Sequence, residues 1–355
     1  MNIYKRLADH LDKLPGGFAP SDSGAELRLL KRLFTTEEAE LAVYLTLERE
    51  EPHTIAARAG ISVDEAEKRL KAMAGKGLIF SIEAKGRPVL YQAVPWVVGI
   101  YEFQVNKLDK EFVEDLTEYV STRRKDPRPQ PFLQMRTIPV GQSIEGALEV
   151  LPYERAEELV NAHDKYAVAP CICRQKAKLM GSGCGAPEES CLMFGEWADY
   201  YARNGQGRYI DRDGVLDIIA KADKANLVLQ PSNSKEISFL CTCCGCCCGV
   251  LLRLKQHPKP SEAVASPFIA EATPETCDGC EICLNRCQMG ALKLENEQVV
   301  LNSDRCIGCG LCVSTCPTGS LILKRKSASK HVQVPLNMET TWKEIRLAQA
   351  NKQRG

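Results

Sequence analysis

The sequence predicts an α+β protein with a helical N-terminal part, a cysteine-rich middle part and a C-terminal part of short strands and cysteine-rich loops. Helical hydrophobic spacing is followed by two strand-like runs before residue 95, and all 18 cysteines fall between Cys171 and Cys316. We expect a helical and hairpin domain, a mostly helical connector, a cysteine-rich domain, a cysteine-repeat domain and a basic tail. Their expected bounds are 1–105, 106–165, 166–260, 268–325 and 326–355.

The composition is that of an ordinary globular protein, with 355 residues, 44% apolar and 26% charged. This length suggests two or three domains. Lys+Arg and Asp+Glu both number 46, so no net charge attracts the whole chain to nucleic acid or an anionic membrane. We expect a cytoplasmic protein without a transmembrane segment, because residues 1–14 contain no apolar signal core and no apolar run reaches about 18 residues.

The cysteine distribution favours metal binding over disulfides. Disulfide scaffolds are usually short secreted chains, whereas here the thiols form tight runs in a long chain. Closely spaced thiolates are typical of metal ligands in a reducing compartment. No dinucleotide fingerprint, P-loop or nucleophile elbow is present, which argues against a bound nucleotide.

The first 95 residues have the pattern of three helices followed by a hairpin. Helices are predicted after Thr35, over 54–58 and after Ser62, and strands over 78–82 and 89–93. The buried stripe predicted for the third helix consists of Val63, Ala66, Leu70 and Met73.

Residues 35–95 therefore resemble a winged helix-turn-helix domain. DNA binding by such a domain needs a basic face, but residues 1–96 contain 14 Lys+Arg and 14 Asp+Glu. We therefore favour protein contact or dimerisation over DNA binding for this domain. In the connector we predict a helix over 109–119, an exposed proline-rich loop over 123–131 and a strand over 135–140.

An internal repeat near the C-terminus is the strongest signal. Every cysteine of the first C-x-x-C-x-x-C-x-x-x-C run recurs 29 residues later in the second. Three closely spaced cysteines can wrap three corners of one cubane, and the fourth then ligates the other cluster. The first predicted cluster has the ligands Cys277, Cys280, Cys283 and Cys316. The second predicted cluster has the ligands Cys306, Cys309, Cys312 and Cys287.

These runs resemble the bacterial two-cluster ferredoxins over residues 268–325. The resemblance implies two 4Fe–4S clusters, one-electron transfer, and strand pieces at 292–294, 299–301 and 321–323. Gln288 departs from the family, which usually has proline there, as Pro317 does in the second run. Zinc is the alternative metal, but Cys₄ zinc sites favour two separated C-x-x-C pairs over a triplet with a remote fourth.

Ten further cysteines form two groups in the middle domain, and we predict one or two more 4Fe–4S clusters there. Each group could serve its own cluster, or the two could share ligands. The first group is Cys171, Cys173, Cys184 and Cys191. The second group is Cys241, Cys243, Cys244, Cys246, Cys247 and Cys248.

The surroundings of these ten cysteines are compatible with a cofactor site. Arg174 is interpreted as exposed, with tuning of cluster charge as the alternative. A helix over 211–224 is predicted. Another helix carries three aromatic residues that we assign to the core or to the shielding of a cluster, in preference to an electron relay. These are Trp197, Tyr200 and Tyr201. The arrangement weakly resembles the noncubane cluster domains of disulfide reductases, and also a group of uncharacterised anaerobe proteins with a ferredoxin domain.

The sequence thus favours an electron-transfer component that relays single electrons through 4Fe–4S clusters to or from a partner oxidoreductase. The alternative is a redox-responsive winged-helix regulator that binds DNA. A third hypothesis is an enzyme whose central cluster binds substrate at an open iron. The basic tail could dock an acidic partner. A solvated helix end is the favoured interpretation of the tail. Its basic residues are Lys326, Lys330, Lys343, Arg346, Lys352 and Arg354, against the acidic Glu339 and Glu344.

Overall fold

The computed structural model describes residues 2–124, 134–144, 150–327 and 333–352. Helices account for 44% of the residues and strands for 16%, which agrees with an α+β class. The helices are α1 Ile3–Asp12, α2 Ala25–Leu33, α3 Thr36–Ala42, α4 Pro52–Ala59, α5 Val63–Lys76, α6 Lys110–Arg124, α7 Ala156–Asn161, α8 Ile172–Leu179, α9 Glu196–Arg203, α10 Arg212–Lys224, α11 Gly249–Gln256, α12 Pro260–Ala263, α13 Ile282–Arg286 and α14 Met338–Lys352.

The strands of the structure are short, with three to six residues each. They are β1 Phe80–Ile82, β2 Leu90–Gln92, β3 Tyr166–Pro170, β4 Glu189–Phe194, β5 Arg208–Ile210, β6 Val228–Pro231, β7 Phe239–Cys243, β8 Phe268–Ala272, β9 Leu292–Glu295, β10 Gln298–Leu301 and β11 Leu321–Arg325.

The N-terminal helices and hairpin form where the sequence predicts them. Thr35 and Glu38 form a reciprocal capping box at the start of α3, Ser62 caps α5, and β1 pairs antiparallel with β2. The stripe predicted for α5 is buried at Ala66, Leu70 and Met73. Val63 is 41% exposed, so its assignment to that stripe was wrong. It is the first residue of α5, one turn before the part of the helix that packs inward.

A five-stranded antiparallel sheet forms the centre of the molecule, with the strand order β5-β3-β4-β7-β6. Local sequence patterns give no indication of this sheet. One core is continuous from the N-terminal helices to α9, whose Trp197, Tyr200 and Tyr201 are buried as predicted. The hydroxyl of Tyr200 donates to the carbonyls of Ala74 and Ile79, so the N-terminal part is hydrogen-bonded to α9.

The strand predicted over 135–140 is present only as isolated bridges, from Met135 to Ser232 and from Ile138 to Leu229 of β6. The N–H of Thr137 donates instead to the carbonyl of Ala265, and Pro139 has no N–H. The segment therefore crosses between β6 and the C-terminal part of the chain without joining the sheet. Residues 125–131 of the predicted proline-rich loop lie outside the described residues, as do Lys330 and Arg354.

The C-terminal repeat forms two small antiparallel sheets, β9 with β10 and β8 with β11. Arg286 anchors it to the rest of the molecule, since its buried guanidinium donates to the carbonyl of Leu311 and to the carbonyl and carboxylate of Asp223 on α10. Helix α14, in the expected basic tail, packs inward through three buried apolar residues. These are Met338, Trp342 and Ile345. In the described part of the chain, no helix has the length and apolar character needed to cross a membrane.

Candidate metal centres

The first three cysteines of the first run and the last cysteine of the second run line one pocket. This pocket is a small recess that opens to solvent. Its cysteines are Cys277, Cys280, Cys283 and Cys316. Cys283 is buried and Cys280 is exposed, so the pocket has an inner wall and an outer edge. The structure thus places the fourth cysteine of one run beside the triplet of the other.

The remaining four cysteines of the repeat lie deeper. Two of their sulfurs accept backbone hydrogen bonds, from Ala270 to Cys306 at 3.3 Å and from Ala291 to Cys287 at 3.2 Å. N–H···S bonds of this kind stabilise thiolate charge and tune cluster potentials. Burial raises the pKa of Cys309 to about 12, so a metal would have to displace its proton.

The 29-residue repeat recurs in the backbone as well as in the sequence. Gly279 and Gly308 occupy equivalent positions, and both have φ of +71°. A Cβ on Gly308 would lie 2.2 Å from the carbonyl oxygen of Phe268, so no other residue fits there. Each loop therefore wraps its triplet of cysteines with the same left-handed turn.

A protein-family model matches the segment that contains the cysteine repeat. Residues 276–320 match the 4Fe-4S dicluster domain. The dicluster domain accounts for 45 of the 355 residues, from 276 to 320, and no curated protein or solved structure matches the chain. The comparisons therefore support 4Fe–4S binding in the C-terminal part, and the winged-helix resemblance of the N-terminal part stays a prediction.

The ten middle cysteines form two groups in space, and these differ from the two groups that they form in the sequence. Four sulfurs converge near the surface, all within 4.8 Å of one another. This four-thiol site consists of Cys184, Cys244, Cys246 and Cys247. Cys184 belongs to the first sequence group and the other three to the second, so thiols from both groups meet at one site, an arrangement that the sequence left open. Cys184 and Cys246 are exposed.

The other six cysteines line a deeper six-thiol site, which consists of Cys171, Cys173, Cys191, Cys241, Cys243 and Cys248. Cys191 on β4 and Cys241 on β7 are direct register partners, with their sulfurs 3.8 Å apart. Thiol contacts link Cys241 to Cys243 and Cys173 to Cys248. Cys171 occupies the N-cap position of α8 and Cys248 that of α11, and neither side chain makes a capping hydrogen bond. The positive ends of two helices therefore face the site and favour negative charge there.

Local contacts set the acidity of the thiols unequally. Hydrogen bonds from the thiols of Cys173 and Cys243 lower the pKa of Cys248 to about 5. For Cys184, burial opposes ionisation, but hydrogen bonds from the backbone of Ala186 and from neighbouring thiols outweigh it and lower the pKa to about 7. Each site thus contains a thiol that ionises readily and can begin metal binding.

Arg174 lies between the two middle sites and is 5% exposed, so its interpretation as an exposed residue was wrong. Its guanidinium donates to the carbonyls of Pro187 and Thr242, at 2.7 Å each, and to the hydroxyl of Ser190. Burial opposes the charge, but the neighbouring thiols of Cys171 and Cys244 raise the pKa of Arg174 above its ordinary value. The side chain therefore places a permanent cation between two thiol clusters.

The segment that follows the N-terminal hairpin borders the six-thiol site, since Tyr101 and Glu102 lie in electrostatic contact with its thiols. Glu102 accepts a hydrogen bond from the N–H of Gly99 at 2.9 Å, and burial raises its pKa to about 7. Val98 adopts φ of +61°, a left-handed conformation that is rare for a β-branched residue and typical of functional sites. Sequence reasoning missed Glu102, because nothing in the pattern of residues 96–104 places it near Cys191 and Cys241, which are 89 and 139 residues away.

Proposed function

We propose that this protein is an iron–sulfur electron-transfer component that passes single electrons between a reduced donor and a partner oxidoreductase. The dicluster domain is the single observation that carries this proposal. When bound, a 4Fe–4S cluster supplies a site that gains and loses one electron at a time. The protein is then a component of an oxidoreductase system and not a stand-alone enzyme.

In this proposal, one cluster is held by Cys277, Cys280, Cys283 and Cys316. The other is held by Cys287, Cys306, Cys309 and Cys312. The pocket supports the first assignment, since it brings those four cysteines together across the repeat. Exposure of Cys280 supports electron exchange with a partner, because a cluster held there lies at the protein surface.

We further propose that the six-thiol site holds an iron–sulfur cluster inside the molecule. Six thiols exceed the four corners of one cubane, and the ends of two helices offset the negative charge of such a cluster. In the described part of the chain, no three of these thiols have sulfurs within 4.8 Å of one another, so they are too dispersed for a single ion. Multi-iron clusters spread their thiolates over several metal atoms, which fits this spacing.

The test is iron and sulfide quantitation with EPR on protein purified without oxygen. The dicluster domain alone accounts for about eight irons, and a cubane in the six-thiol site raises the total to about twelve. The matched variants Cys280→Ser and Cys309→Ser should each remove about four irons, one cluster each. Zinc in place of iron at the dicluster domain would contradict the proposal.

A second candidate is a redox-responsive DNA-binding regulator. The observation that favours it is the position of Glu102 and Tyr101, which follow the N-terminal hairpin and lie in electrostatic contact with the six-thiol site. A change of cluster state there would reach the winged-helix-like part. Against it, two cations of α5 are engaged in ion pairs, Arg69 with Glu65 and Lys76 with Glu38.

The two candidates are separated by a charge reversal on the exposed face of α5 in the full chain. The double variant Lys68→Glu/Lys71→Glu should reduce a one-electron acceptor as fast as the wild type if the protein is an electron carrier. A regulator would instead bind DNA with a steep salt dependence, and the variant would lose that binding.

A further inference from the structure

The four-thiol site has the dimensions of a single-ion site. The sulfur of Cys184 lies 3.7 Å from the sulfurs of both Cys244 and Cys247, and those of Cys246 and Cys247 are 3.7 Å apart. Four thiolates arranged tetrahedrally around one ion at about 2.3 Å are about 3.8 Å apart along each edge. Three of the six edges match that length, and the other three are no longer than 4.8 Å.

A cubane requires a different arrangement, because each of its thiolates binds a different iron atom. In the part of the chain that the structure describes, the four-thiol site is the only group of three or more Cys, His, Asp or Glu side chains whose ligand atoms converge within 4.8 Å. The eight cysteines of the dicluster domain lack this convergence, although that domain is built for cubanes. The close convergence of its four sulfurs therefore distinguishes the four-thiol site from the cubane sites of the dicluster domain.

We propose that Cys184, Cys244, Cys246 and Cys247 bind one tetrahedral Zn²⁺ ion and no iron–sulfur cluster. Tetrathiolate coordination without an open position is typical of structural zinc. This inference replaces the sequence-based expectation that these four cysteines ligate a 4Fe–4S cluster. It does not depend on the proposed electron-transfer function.

The charge around the site suits a zinc tetrathiolate, which carries two net negative charges. The guanidinium of Arg174 lies beside Cys244, and its Nε has no hydrogen-bond partner although the residue is 5% exposed. A buried donor without a partner is costly unless a negative group accepts from it. A deprotonated, metal-bound Cys244 would supply such charge.

The ion has a structural task in this fold. The loop between α8 and β4, residues 180–188, is mostly exposed and contributes Cys184, whereas the turn after β7 contributes the other three thiols. Cys243 and Cys248 on either side of that turn belong to the six-thiol site. One ion would therefore fasten an exposed loop to the turn that positions the deeper site.

Elemental analysis of the full-length protein, purified without oxygen and without added zinc, tests the proposal. We expect one zinc per chain. Cys184→Ser and Cys246→Ser should each lose at least nine-tenths of the zinc and retain the wild-type iron content. Both residues are exposed, so neither substitution removes core packing.

Cys280→Ser is the matched control, since it is an exposed cysteine of the dicluster domain. It should lose iron and retain zinc, so failure of the zinc proposal and failure of the electron-transfer proposal give different results. Growth with Co²⁺ in place of zinc should give the visible absorption of tetrahedral cobalt thiolate, absent from Cys184→Ser. Wild-type protein without zinc, or a Cys184→Ser variant that loses about four irons, would overturn the proposal.

Discussion

The side-chain carbonyl of Gln288 accepts a hydrogen bond from the backbone N–H of Gly245 at 2.7 Å. Gln288 follows the fourth cysteine of the first run, and Gly245 lies inside the six-cysteine stretch of the middle region. A Cβ on Gly245 would meet the carbonyl oxygen of Gln288 at 2.6 Å, so the contact requires glycine. The departure from the proline usual in two-cluster ferredoxins thus joins the dicluster domain to the four-thiol site.

Replacing Gln288 should loosen this junction. Gln288→Ala leaves the N–H of buried Gly245 without its acceptor, which we expect to cost about 1–2 kcal/mol. The apparent thermal unfolding midpoint should fall while the iron content stays at the wild-type level. Gln298→Ala, on the exposed side of β10, is the control and should leave the midpoint unchanged. Equal midpoints for both variants would show that the hydrogen bond contributes nothing.

The crossed ligand arrangement predicts that distant cysteines serve one cluster. Cys280→Ser and Cys316→Ser should abolish the same EPR signal, because the two residues line one pocket although they are 36 residues apart. Cys309→Ser should abolish the other signal. If Cys316→Ser and Cys309→Ser removed the same signal, each run would bind its own cluster and the assignment would be wrong.

Arg174 should set the reduction potential of the cluster that we propose in the six-thiol site. Arg174→Gln removes a buried positive charge beside Cys171, which makes reduction less favourable. We expect the potential to fall by about 60 mV, the one-electron equivalent of roughly 1.4 kcal/mol. An EPR-monitored redox titration measures it, with Arg208→Gln on exposed β5 as the control. A potential equal to that of the wild type would exclude a charge effect of Arg174.

Glu102 should make stability fall as pH rises. Burial raises its pKa to about 7 in the folded protein, so between pH 4.5 and 7 the folded state holds a proton that the unfolded state has released. Unfolding then releases a proton, and the free energy of unfolding decreases across this range by up to about 3 kcal/mol. Glu102→Gln should have a flatter profile of unfolding midpoint against pH from 5 to 8. A variant profile parallel to that of the wild type would rule out this contribution.

Local sequence patterns correctly predicted the three helices and the hairpin of residues 35–95. They did not predict the contacts between segments that are distant in the sequence. The start of α3 at Thr35 and the end of α4 at Gly60 were predictable, because each depends on a capping residue and its neighbours within a few positions of the sequence. The 29-residue cysteine repeat likewise predicted the dicluster region, because its ligand pattern is local and chemically specific.

The middle sites could not be divided from sequence, because the division depends on a sheet that brings together residues 50 or more positions apart. The pairing of Cys191 with Cys241 and the contact of Cys184 with Cys244 both require that β4 lies next to β7. The burial of Arg174 has the same origin, since its acceptors Ser190 and Thr242 lie on those two strands. A charged residue beside a cysteine gives no local sign of whether the fold will enclose it.

The number of electrons that the full-length protein accepts tests the account most directly. Anaerobic reductive titration, followed by the bleaching of visible absorption, should show two electrons taken up by the dicluster domain, one per cubane, in addition to any taken up elsewhere. The double variant Cys280→Ser/Cys309→Ser should accept two electrons fewer than the wild type. Wild-type protein that is colourless, or a double variant that accepts as many electrons as the wild type, would contradict the assignment of electron transfer to this domain.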